Sequence, residues 1–134
     1  PTDGAIDGVS VAQMLGQDVE CVFKTLVTRG ASGAYYVFDI PVAENLDLKK
    51  AARAVGEKSI AMLPQKELLP LTGYVHGGCS PVGMKKQFPT VFHETVEIID
   101  TIMVSAGKIG VQVECAPADL LALLDAATAD VTVG

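Results

Sequence analysis

Residues Gly73-Tyr-Val-His-Gly-Gly-Cys-Ser-Pro-Val-Gly83 place four glycines and a proline in eleven positions. No helix or regular strand runs through such a stretch, because glycine costs the most entropy to order and proline lacks a ladder donor. A loop is therefore forced in mid-chain, and the other elements must pack around it. Its backbone is free to turn N–H groups toward an anion, although the same composition also serves an ordinary tight connection. With 134 residues the chain supports one domain whose core needs no staples.

The flanking segments carry clear local signals. Ser10-Val-Ala-Gln13 is a capping box for a short helix with Val11, Met14 and Leu15 on its apolar face and Gly16 at its end. Residues 21–28 and 34–40 are β-rich, and Gly30-Ala-Ser-Gly33 reads as the hairpin turn between them. Asp47 caps a helix over Leu48–Val55, with Leu48, Ala51, Ala52 and Val55 inward and Gly56 just past its end. Ser59–Met62 is expected as a brief strand, and Pro64 as the first residue of a short helix ended near Pro70. Phe92–Ile99 fits strand or irregular chain. Ile102–Ser105 and Ile109–Cys115 alternate about a turn at Ala106-Gly107-Lys108, and Pro117 opens a last helix with Leu120, Leu121, Leu124 and Ala127 on one face. Hairpins mixed with helices predict an α+β fold, a curled mixed or antiparallel sheet or partial barrel with helices around it.

Ten basic residues against sixteen acidic ones give a net charge of −6. Taken globally, that argues against nucleic acid or an anionic membrane as partner. The distribution is uneven. Residues 1–20 and 114–134 hold eight acids and no base, whereas 49–86 carry Lys49, Lys50, Arg53, Lys58, Lys66, Lys85 and Lys86 against Glu57 and Glu67. A local basic region with acidic ends predicts weak, salt-sensitive binding to a short anionic segment. Aromatic residues are too few for a single-strand stacking platform. Despite a mean hydropathy of +0.37, no apolar run approaches the ~20 residues of a membrane span. Cys21, Cys79 and Cys115 are odd in number and lack zinc-site spacing, which points to a reducing compartment and a cytoplasmic protein. There is no signal peptide, and a start at Pro1 leads us to expect residues missing upstream.

Three places could carry chemistry. Lys24 alternates with Val22 and Leu26, so it is either an edge lysine or a cation in a pocket. In the glycine stretch, Cys79 is either a nucleophile or a small residue in a tight loop, with His76 and His93 as the sole candidate bases. Ser105-Ala-Gly-Lys108 lacks the first glycine and the Ser/Thr of a phosphate loop, and reads as a turn whose Ser105 lines a pocket. Tyr74 reads as a packing residue. Composition and spacing stop at a small domain that binds a partly anionic ligand.

The segments together resemble the YbaK/EbsC family of Cys-tRNA(Pro) deacylases, which are related to prolyl-tRNA synthetase editing domains. Val22-Phe-Lys-Thr-Leu-Val27 is similar to its V-[YF]-K-T-L strand, and Leu46-Asp-Leu-Lys-Lys50 to its L-D-L-K-K helix start. Thr72 through Lys86 is similar to its T-G-Y-x-x-G-G-x-S-P-x-G-x-K-K signature. Val104-Ser-Ala-Gly-Lys108 and Gly110–Leu120 complete the order.

The resemblance implies a single trans-editing domain over 1–134 that clears cysteine mischarged on tRNA(Pro), with Cys-tRNA(Cys) as a second substrate. The substrate's own thiol would attack the ester, and no cofactor or metal is expected. It implies Lys24, Gly77 and Gly78 as the positioning and oxyanion-binding residues. Thr25, Cys79, Ser80, Pro81, Gly83, Ser105, Gly107 and Gln112 would line the substrate site, and Lys49, Lys50, Lys85 and Lys86 would contact tRNA. The implied partners are the aminoacyl-tRNA 3′ end and prolyl-tRNA synthetase. Gln112 departs from the family's usual Asp, and His76 sits at a variable position. Family chains carry an upstream helix and strand that this chain is expected to lack. A deacylase for another small aminoacyl ester with water as nucleophile, a hydrolase using Cys79, and a non-catalytic binding module are the alternatives.

Overall fold

The computed structural model describes residues 19–134. The capping box at Ser10–Gln13 and its helix lie outside them. After a 3-10 turn at Val19–Cys21 come β1 (Phe23–Gly30), β2 (Tyr35–Pro41), α1 (Leu48–Val55), β3 (Ile60–Met62) and α2 (Gln65–Thr72). The glycine stretch follows as a loop. Then come β4 (Thr90–His93), a 3-10 segment at Glu94–Ile98, β5 (Ile102–Lys108), β6 (Val111–Cys115), α3 (Pro117–Leu124) and β7 (Ala127–Ala129). A five-stranded sheet runs in the order β3-β1-β2-β4-β7, and β5 and β6 form a separate hairpin. β1 pairs antiparallel with β2 and β3, whereas β2, β4 and β7 run parallel. The fold is α+β as expected, curled but not a closed barrel.

Strand alternation divides the core. Phe38, Ile40 and Val91 face α1, packing on Ala51, Ala52 and Val131. The opposite face carries two clusters. Val27 and Val37 meet Leu68 of α2 and Cys79, Met84 and Phe88 of the central loop. Phe23 and Phe92 meet Val104 of β5 and Leu120 and Leu124 of α3. The glycine loop is thus built into one face of the sheet.

Local chemistry accounts for most element boundaries. Asp47 accepts from the Lys49 and Lys50 amides at 3.0 Å each, and Gly56 closes α1 with a φ of 74°. The first hairpin turn is clasped by Glu57, which accepts from the Ser32 amide at 3.1 Å and the Tyr36 hydroxyl at 2.6 Å. Gly30 leaves room for that carboxylate, since a Cβ would fall 2.3 Å from the Glu57 carboxyl carbon and displace it.

Four expectations are corrected. Leu48 is exposed on the first turn of α1, and Ala51 and Ala52 carry its buried face. α2 continues through Pro70 to Thr72, since one missing amide bond in so short a helix is offset by burial of Leu68 and by the Thr72 hydroxyl donating to the Leu68 carbonyl. The β5–β6 turn lies at Ile109-Gly110. Ala106 and Gly107 instead form an irregularity inside β5, between the paired residues Ser105 and Lys108. Ala127 belongs to β7, because Asp125 adopts a left-handed φ of 50° and ends α3 before it.

Removing the Asp47 cap tests this account of α1. Asp47→Ala is expected to lose about 1 kcal/mol and lower the midpoint by about 4 °C in thermal denaturation, with the fold retained.

Candidate functional site

The free edge of β1 opens the site. β3 pairs with that edge at Thr28–Gly30, and Val27 accepts from the Leu63 amide at 3.1 Å. At the other end Val22 forms one parallel bridge to Met103 of β5. Between these contacts no described strand pairs with the edge at Phe23–Leu26. The two described neighbours thus pair with this edge at its two ends. Continuing the parallel register from Val22 and Met103 sets Lys24 level with Ser105. Lys24 is half-buried on the same strand face as Val22 and Leu26.

The glycine loop is fastened to the β5–β6 hairpin by Tyr74. Its hydroxyl donates to the Val82 carbonyl at 2.6 Å. A Cβ on Gly83 would fall 2.9 Å from that hydroxyl, and one on Gly107 would fall 2.9 Å from the ring. Both glycines also have φ in the left-handed region, 80° and 99°. Gly78 packs directly on the hairpin backbone, where a Cβ would lie 3.0 Å from the Ile109 nitrogen. These contacts bring Gly78, Gly83, Ser105 and Gly107 together. Ser105 accepts from the Gly107 amide at 3.2 Å, and its cross-strand partner is Gln112, whose buried Oε1 has no partner among the described residues.

The loop corrects one expectation. The Gly78 amide donates to the Val75 carbonyl at 3.0 Å and is committed to the turn. The Gly77, Cys79 and Ser80 amides, like those of His76 and Gly83, have no acceptor among the described residues. Cys79 is not poised as a nucleophile. Burial and the nearby Asp39 push its thiol up to about 12. His93 is engaged elsewhere, with Nδ1 accepting from the Val131 amide at 3.2 Å.

Sequence reasoning missed Asp39. It faces Thr25 across the β1–β2 ladder, and its Oδ1 accepts from the Thr25 hydroxyl at 2.5 Å. Oδ2 is buried with no partner among the described residues. Burial pushes this carboxyl up to about 7, and the Thr25 hydrogen bond opposes the shift. An acid inside Val37-Phe38-Asp39-Ile40 breaks the apolar pattern as Lys24 does in β1, and that signal was available.

Residues 5–123 match the sequence pattern of the aminoacyl-tRNA editing domain. The chain belongs to that family. It is 49% identical over 123 residues to a protein of Enterococcus faecalis, EbsC, whose name gives Cys-tRNA(Pro)/Cys-tRNA(Cys) deacylase as its proposed activity. The match covers 92% of this chain and 75% of EbsC. A crystal structure described as a proposed trans-editing enzyme for prolyl-tRNA synthetase is similar at 30% identity and a TM-score of 0.87, covering 99% of this chain and 83% of that one. Another crystal structure, of a protein without an assigned function, shares the fold at 23% identity and a TM-score of 0.88, covering 96% and 85%. The editing domain is an aminoacyl-tRNA deacylase.

For an editing domain, the placement of its cations decides where tRNA could lie. The basic stretch 49–86 does not form one patch. Lys49 and Lys50 lie on α1, on one face of the sheet, whereas Lys85 and Lys86 follow the glycine loop on the other. Lys50 also corrects an expectation. It donates to Asp130 at 2.9 Å and to the Thr132 carbonyl at 2.9 Å, tying α1 to the C-terminal segment. Lys85 reaches the Pro70 carbonyl at 3.3 Å, and Lys86 lies 6.0 Å from the centre of the Phe88 ring. Both remain exposed beside the loop. A separate cavity of about 850 Å³, bordered by Glu20, Pro41, His93, Asp100 and Thr132, contains none of the expected site residues. No helix among the described residues is long and apolar enough to cross a membrane.

Asp39 gives the editing domain a distinctive pH dependence. Its carboxyl is raised in the folded state, so the native protein binds more protons than the unfolded chain between about pH 4 and 7. Stability is therefore expected to fall as pH rises through that window, by roughly 4 kcal/mol at most. Urea denaturation of wild type and Asp39→Asn at pH 5 and pH 8 measures this, and the variant is expected to lose most of the difference.

Proposed function

We propose that this editing domain clears cysteine mischarged onto tRNA(Pro), and also accepts Cys-tRNA(Cys), by letting the substrate's thiol attack its own ester. The observation that carries the reading is the packing of the glycine loop, through Gly78 and Tyr74, against Gly107–Ile109 of the β5–β6 hairpin, next to the Ser105–Gln112 pair. The relationship to EbsC supports the choice of amino acid. Cys79 offers no activated nucleophile in the loop, since burial favours its protonated thiol.

The chemistry then needs only positioning. The aminoacyl group sits between the loop and β5, against Thr25, Cys79, Ser80, Pro81, Gly83, Ser105, Gly107 and Gln112. The thiol sulfur attacks the ester carbonyl and a tetrahedral oxyanion forms. A loop amide from Gly77, Cys79 or Ser80 stabilises it, replacing the expected Gly78 donor. The C–O bond to the terminal ribose breaks, cysteine leaves as its cyclic thiolactone, and the thiol proton ends on the ribose hydroxyl. Holding thiol and carbonyl in one conformer supplies the effective-molarity gain. Lys24 points to the α1 face of the sheet, away from the loop, so it would reach the 3′-terminal adenosine or its phosphate around the edge of β1 and orient the ester from there. Lys85 and Lys86 add weak electrostatic contact, and Lys49 stays peripheral. A domain this small has little surface for reading tRNA identity, so prolyl-tRNA synthetase supplies it as partner in the cytoplasm.

A second reading is favoured by Gln112. Its unpartnered, buried Oε1 beside Ser105 is placed to hold a water, which would hydrolyse a smaller ester such as Ala-tRNA(Pro).

A deacylation panel with Cys-, Ala- and Pro-charged tRNA(Pro) tests these readings. Cys-tRNA(Pro) is expected to be cleared fastest, and Lys24→Ala to lower kcat/KM by about 100-fold or more. Fastest clearance of Ala-tRNA(Pro) would favour the second reading. Failure on all three substrates, or an unchanged Lys24→Ala, would overturn the assignment.

A further inference from the structure

Asp39 is the sole buried carboxyl among the described residues, and the chemistry above gives it no task. Its site in β2 would be filled at no electrostatic cost by an aliphatic side chain. Thr25 satisfies one oxygen, and the other is enclosed with no partner among the described residues. An acid kept in that condition costs stability, so the sequence tolerates a penalty that packing does not require.

The surroundings are specific. Thr25 faces Asp39 from β1, flanked on the same face by Phe23 and Val27. Phe92 is its register partner in β4. From the glycine loop comes Cys79, whose thiol lies close enough to feel a charge on Asp39. Lys24 and His93 sit one residue from Thr25 and Phe92, and strand alternation sends them to the opposite face. Among the described residues, Cys79 is the one other titratable group facing Asp39.

We propose that Asp39 is a positioning residue for the glycine loop, which takes one backbone arrangement at 77–80 over a protonated Asp39 and another over an ionised one. The inference rests on the reading of this loop as the oxyanion-binding element. Protonated, Asp39 is neutral and Cys79 packs on it as on any small side chain. Ionised, Oδ2 becomes an uncompensated anion in the interior. Relief is available from the loop segment that packs on the same face, either the Cys79 S–H or a Cys79 or Ser80 amide that has no acceptor among the described residues. An amide turned toward Asp39 is withdrawn from the substrate carbonyl. With the carboxyl near 7, the change falls across neutral pH. Editing should then weaken as pH rises, against the ordinary gain of a thiol nucleophile in alkali.

The test follows the Gly77, Gly78 and Cys79 amides by ¹⁵N NMR of the full chain between about pH 5.5 and 8.5, alongside Cys-tRNA(Pro) deacylation. The three amides are expected to titrate with one midpoint near neutrality in wild type. Thr25→Val, which loses the hydroxyl that favours the ionised acid, should move the midpoint upward, and Asp39→Asn should abolish it. Relative to Asp39→Asn, wild-type turnover should fall about tenfold between pH 6 and 8. Loop amides that do not titrate in wild type, or that titrate unchanged in Asp39→Asn, would overturn the proposal. If Asp39→Asn does not fold, the direction of the Thr25→Val shift decides. A loop that titrates as expected in a protein that clears no aminoacyl-tRNA supports the positioning role and removes the editing reading instead.

Discussion

The ring of Tyr74 fixes how far the glycine loop stands from the β5–β6 hairpin. It enters the space left by the missing side chains of Gly83 and Gly107, and its hydroxyl closes on the loop at the Val82 carbonyl. With the Gly78 backbone contact and Val82 on the cluster around Ile102 and Val104, that wedge holds the loop still, and a mobile loop cannot aim amides at a developing charge. Two glycines separated by β4 and the 3-10 segment therefore belong to one device. β5 then brings this device to the edge of β1 that carries Lys24, whose side chain lies on the other face of the sheet.

Electrostatics divides along the same sheet. On the α1 face, Lys50 is consumed in holding the C-terminal segment, so charge there serves the fold. On the loop face, Lys85 and Lys86 are exposed next to the glycine loop, so charge there is available to a polyanion. An overall negative chain thus keeps a small basic border beside its glycine loop, which suits one aminoacylated 3′ end better than a duplex. Beneath the same loop, Asp39 is neutral or charged according to pH. The loop is bounded by a fixed wedge on one side and a titratable floor on the other.

How much of this was legible in the sequence depended on whether the signal was local. Asp47 and Gly56 bracket α1 through their own backbone chemistry, and both were readable. Lys24 stood out because it interrupts an apolar alternation. Asp39 interrupts the next strand in the same way, yet its meaning required the Thr25 register and the loop above it, which are tertiary. The β5–β6 turn was misplaced because Gly107 looks like a turn residue, whereas its absent side chain makes room for Tyr74 more than thirty positions earlier. β7 was hidden, since Ala-Thr-Ala has little strand character and exists because β4 offers it an edge. The motif led to Gly78 as an oxyanion donor, but its amide is spent inside the turn, a fact of backbone geometry that no residue pattern carries.

The central claim is that the domain supplies position and the substrate supplies the nucleophile. Clearance of cysteinyl-tRNA(Pro) measured beside α-aminobutyryl-tRNA(Pro), in which a methyl group replaces the thiol, tests it most directly. The account predicts clearance of the cysteinyl ester at least about 100-fold faster, with the cyclic thiolactone as first product. Equal rates for the two esters, with free amino acid as first product from both, would contradict it.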